Sequence, residues 1–99
     1  MTHQKFPLDS MSAELEKVAI KRFRDLTLIL PEKCAIYRRI EDRVMVLYLD
    51  FLACPQELST IMKHYGTLTV ASHKLGLADS LVFSISNHIV GWTNLTKNN

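Results

Sequence analysis

Apolar residues recur at helical spacing in the first third of the chain. Leu15, Val18, Ala19, Phe23, Leu26 and Leu30 form one stripe, and Lys17, Lys21, Arg24 and Asp25 occupy the opposite face. The pattern predicts a helix starting near Ser10 or Ser12, whose hydroxyls can accept hydrogen bonds from free backbone N–H groups. Glu14 and Glu16 then fall in the first turn, where the helix dipole favours them. Pro31 marks its end. Residues 34–52, CAIYRRIEDRVMVLYLDFL, carry two patterns at once. Read as a helix, they align Ile36, Ile40, Val44, Leu47 and Phe51. Read as strands, AIYRRI and RVMVLYLDF flank Glu41-Asp42 as a hairpin, but that turn lacks the Gly or Asn that positive φ prefers. The missing turn chemistry tips the expectation towards helix. PQELSTIMKHY reads as a further helix, with Pro55 in its first turn and Gly66 as its stop. Residues 1–8 and 94–99 read as loose tails of a single domain spanning 1–99.

The stretch GTLTVASHKLGLADSLVFSISNHIVGW, residues 66–92, also carries two patterns. Thr69 can cap a short helix, VASHKL. Gly76 can turn the chain through a left-handed conformation, and Leu77 follows as an apolar plug. Asp79 or Ser80 can cap a second helix whose Val82, Ile85 and Ile89 face inward. Two short helices around a glycine turn make a helix-turn-helix. The run Gly66-Thr67, Thr69, Ala71-Ser72 and Leu75-Gly76-Leu77 resembles the glycine-led first half of that motif in LysR-type regulators. Ser86-Asn87 stands at an offset from Leu75-Gly76 that is similar to the Trp repressor family. The resemblance covers about a quarter of the chain.

What the resemblance implies is a mostly α domain with a C-terminal helix-turn-helix at residues 69–90. The implied function is a small transcription regulator, a homodimer on double-stranded DNA. On that reading Thr69, His73, Lys74, Ser80, Ser84, Asn87 and His88 contact DNA, and Arg38, Arg39 and Arg43 supply phosphate contacts. The alternative is an α+β protein-interaction or adaptor domain. LVFSIS alternates, with Leu81, Phe83 and Ile85 on one face and Val82, Ser84 and Ser86 on the other, as in a half-buried strand. Gly76 then ends an ordinary helix, and helix one packs on a sheet made of residues 35–40, 43–51 and 81–86. Leu81 and Phe83 separate the two readings: outward-facing in the first, buried in the second.

Composition changes this picture little. A chain of 99 residues, 47% hydrophobic and 22% charged, suits one globular domain. The net charge of +2 is weak, but all five arginines lie between positions 22 and 43, so any electrostatic footprint belongs to the first half. Cys34 and Cys54 are too few for a structural zinc site on their own and read as reduced, buried thiols. His64, His73 and His88 are spaced too widely for a paired metal motif, and no metal or cofactor is expected. His73, Asp79 and Ser80 are suitable types for nucleophilic catalysis but come without a Gly-rich oxyanion loop, so the expectation is a non-enzyme. Glu41 and Asp42 are expected to pair with Arg38 or Arg43. Trp92, the sole tryptophan, reads as an anchor in the core or an interface. MTHQKFPLDS lacks the apolar core of a signal peptide, and the apolar run at 44–54 is too short to span a bilayer, which points to a cytoplasmic protein without membrane contact.

Overall fold

The computed structural model describes the backbone of residues 5–94 and the side chains of residues 13–93. Helix α1 (Lys5–Thr27) leads into strands β1 (Ala35–Glu41) and β2 (Val44–Asp50). A 3-10 turn (Pro55–Glu57), α2 (Leu58–Met62) and α3 (Tyr65–Lys74) follow, and then β3 (Ser80–Ile85) and β4 (His88–Asn94). The four strands form one sheet in the order β1-β2-β3-β4. The outer pairs are antiparallel hairpins, and β2 and β3 run parallel. A parallel pair needs a crossover long enough to bring the chain back, and α2 and α3 supply it.

The architecture is therefore α+β, which corrects the mostly α expectation and removes the C-terminal helix-turn-helix. Residues 80–94 form a hairpin instead of a second helix. The physical reason is the period-two alternation: Leu81 and Phe83 are 0% and 1% exposed on the face that meets the helices. Helical spacing would have left both in water. A helix does precede Gly76, but it starts at Tyr65, so Thr69 lies inside it instead of capping it. Gly76 has φ +62°. Its N–H reaches the His73 carbonyl at 3.0 Å, and the Leu77 N–H reaches the Ser72 carbonyl at 2.9 Å. That pair of bonds is a Schellman ending, and it closes α3 before a strand.

Residues 34–52 are also strands where a helix was expected. Asp42 and Arg43 both take positive φ, 53° and 67°, and form the two-residue turn between the paired Glu41 and Val44. Seven residue pairs along β1 and β2 outweigh an unfavourable turn sequence. The helical alignment was accidental: Ile40 is exposed, while Leu47 is buried in the core. Two further boundaries move. α1 begins at Lys5, ahead of Ser10 and inside the expected tail, and Gly66 lies within α3 instead of stopping a helix.

The main core joins Phe23 of α1 to Leu47, Leu49, Leu81 and Phe83 of the sheet and to Leu58, Ile61 and Leu68 of the crossover. Each such side chain contributes about 1.5–3 kcal/mol by leaving water. A second, separate cluster of Val46, Tyr48 and Val82 lies on the other face of the sheet, packed with Tyr37 and Val44. Among the described residues the helices pack against the first face, while on the second Val46, Tyr48 and Val82 are still only 6%, 8% and 7% exposed. Within α1 the buried line includes Phe23 and Thr27, whereas Leu15, Val18 and Leu26 of the expected stripe stay exposed. Arg24, expected in solvent, donates to the Pro31 carbonyl at 3.0 Å and also to the Cys34 carbonyl, holding the turn into β1.

Candidate interaction face of the sheet

Strand register builds the uncovered face row by row. Tyr37 pairs with Tyr48, Tyr48 with Val82, and Val82 with Trp92, so one row crosses all four strands. Strands sit about 4.8 Å apart, which makes the row roughly 14 Å wide. Arg39, Val46 and Ser80 form the next row on one side, and Ala35, Asp50 and Ser84 on the other. A bulge between Phe83 and Ser84 shifts β4 so that Ile89 comes opposite Ser84.

The aromatic end of the row is closely packed. The Tyr37 and Tyr48 rings stack 5.1 Å apart at 4°. The Arg39 guanidinium lies 5.4 Å from one ring centroid and 5.3 Å from the other, within cation–π range of both. The Tyr48 hydroxyl donates to Glu41 Oε2. That hydrogen bond, with burial and the Glu41 charge, pushes the Tyr48 phenol above its ordinary value. The expected pairing of Glu41 with an arginine is replaced by this bond. Asp50 Oδ1 accepts from the Leu52 N–H at 2.9 Å and the Ser86 N–H at 3.0 Å, tying the β3–β4 turn to the end of β2. At the other end of the row Trp92 is 65% exposed, with Ile89 exposed beside it.

The residues expected to touch DNA are not gathered on one surface. Thr69 is half-buried in mid-α3, and His73 and Lys74 are exposed at its end. Ser80 and Ser84 are buried on β3, 9% and 2% exposed. Asn87 and His88 lie at the far end of that strand, about 20 Å from its start. Arg38 points to the helical side, where it pairs with Glu16 and donates to the Leu77 carbonyl at 2.8 Å. Arg39 lies on the opposite face, and Arg43 sits in the hairpin turn. Among the described residues no group of three or more His, Cys, Asp or Glu side chains could hold a metal ion. No helix among them is long and apolar enough to cross a membrane.

Sequence reasoning singled out Trp92 and placed Val82 on one face of a strand, but missed Tyr48 and the alignment of the row. A signal existed: Tyr37 and Tyr48 stand equally far from Asp42-Arg43, so placing the turn there pairs them. What fold and site define is an α+β domain, helices on one face of a mixed sheet, an aromatic row on the other. No protein-family profile, curated protein or solved structure matches the chain.

Proposed function

We propose that the chain is a non-catalytic protein-interaction domain that binds its partner through the uncovered face of the sheet. The observation that carries this reading is the row Tyr37–Tyr48–Val82–Trp92, in which Tyr48 and Val82, 8% and 7% exposed, form the floor between a half-buried Tyr37 and a Trp92 that is 65% exposed. Tyrosine, tryptophan and arginine dominate the energetics of protein interfaces, because they bury much area for few rotatable bonds. The Tyr37–Tyr48 stack under Arg39 is ordered before any partner arrives, which lowers the entropic cost of binding. The charges on this face, Arg39 against Glu41 and Asp50, do not favour a phosphate backbone, whose affinity rests on cations.

The test is affinity capture from the source cells with the wild-type chain, Trp92→Ser and Tyr37→Ser. The expected result is a protein held by the wild type and lost from both variants, although both stay folded. The purified partner should then shift the emission of Trp92, the sole tryptophan. Identical capture by Trp92→Ser, or retention of duplex DNA in a low-salt gel shift with no such protein, would sink the reading.

A further inference from the structure

A second apolar surface lies on the helical side, away from the aromatic row. On α1, Leu15 is 66% exposed and Val18 and Leu26 are each 48% exposed, and Val70 of the neighbouring α3 is 58% exposed. Two hollows follow the seam between these helices. One, of about 440 Å³, is walled by Leu26, Val70, Ala71 and Lys74. The other, of about 290 Å³, is walled by Leu15, Val18, Arg22 and Leu75. Exposed aliphatic side chains over open hollows invite a partner helix.

We propose that this seam binds the same seam of a second copy, with the two α1 helices antiparallel and crossing at Val18. A two-fold interface requires a patch complementary to itself, and the charges around Val18 have that property. Glu14 and Arg22 lie four residues to either side of Val18. Four residues advance a helix by one turn plus about 40°, so the two flank Val18 on opposite lateral sides. Glu14, Val18 and Arg22 lie on one i±4 ridge, and an antiparallel pair related by a two-fold axis at Val18 and crossing at about 50° lays this ridge along its copy and sets each Glu14 against the partner's Arg22. A parallel pairing would instead oppose Glu14 to Glu14 and Arg22 to Arg22. Neither residue forms an ion pair among the described residues, so both are available. The site is independent of the sheet face, and its failure leaves that reading untouched.

Sedimentation of the full-length chain tests it. The wild type should be a dimer. Leu15→Asp and Val18→Asp should be monomers with unchanged circular dichroism, since both positions are exposed. Glu14→Arg and Arg22→Glu should each weaken the dimer about ten-fold, through two repulsive contacts per dimer. The double variant Glu14→Arg/Arg22→Glu should recover most of the loss, which a general effect on folding would not produce. A wild type that stays monomeric at its highest soluble concentration overturns the proposal. So does a double variant no tighter than either single one, or a dimer abolished by Trp92→Ser.

Discussion

Ser72 is fully buried in α3, and its Oγ makes no hydrogen bond. A hydroxyl stripped of water without a partner costs about 1–3 kcal/mol. Ser72→Ala should therefore raise stability by about 1 kcal/mol in urea unfolding, and a destabilised variant would mean the hydroxyl has a partner. The two cysteines make a kinetic prediction. Both are free and buried. Burial, reinforced by the neighbouring Cys54, pushes the Cys34 thiol up to about 12, and burial raises Cys54 as well. Since the thiolate is the reactive species, a thiol reagent at pH 8 should label neither until the structure opens. Labelling as fast as in the urea-unfolded chain would contradict the burial of both.

At the scale of elements, turns carry the strain and strands overrule it. Arg43 in the β1–β2 turn has φ 67° and no side chain suited to it. Left-handed backbone costs a non-glycine residue about 1–2 kcal/mol. Arg43→Gly should raise the urea midpoint by the equivalent of about 1 kcal/mol without changing the slope, and no gain would mean the turn is not strained. This turn also explains what the sequence concealed. Its chemistry argued against a hairpin, so a chance helical alignment in residues 34–52 was preferred. The alternation of Leu81, Phe83 and Ile85 and the left-handed Gly76 were both legible, because each is a local property. β4 was not, because its residues had been divided between a second helix and a tail. The aromatic row was hidden for a different reason. A row across four strands depends on register, which here rests on a two-residue turn, a parallel pairing and a bulge.

At the scale of the whole molecule, Arg38 ties three segments together. Its guanidinium meets both carboxylate oxygens of Glu16 on α1 and the Leu77 carbonyl ahead of β3. These hydrogen bonds hold the Glu16 carboxyl below its ordinary 4.5, against a partial burial that pushes the other way. A depressed carboxyl stabilises the fold above its unfolded value and loses that contribution as pH falls through its folded value. Glu16 is partly exposed, so the contribution is at most about 1 kcal/mol. Arg38→Met should lower stability at pH 7 and flatten its decline below pH 4.5. Parallel pH curves for the two proteins would exclude the linkage. The parallel pairing of β2 with β3 has its own consequence, for how this chain can vary in length. Each hairpin takes its register from a two-residue turn, and one inserted residue there would exchange the two faces of a strand. The crossover between β2 and β3 sets no register, and in the loops that flank its core-packed helices an insertion costs little, since doubling a flexible loop costs only about 0.6 kcal/mol. Insertions can therefore accumulate on the helical side of the molecule while the opposite surface keeps its shape.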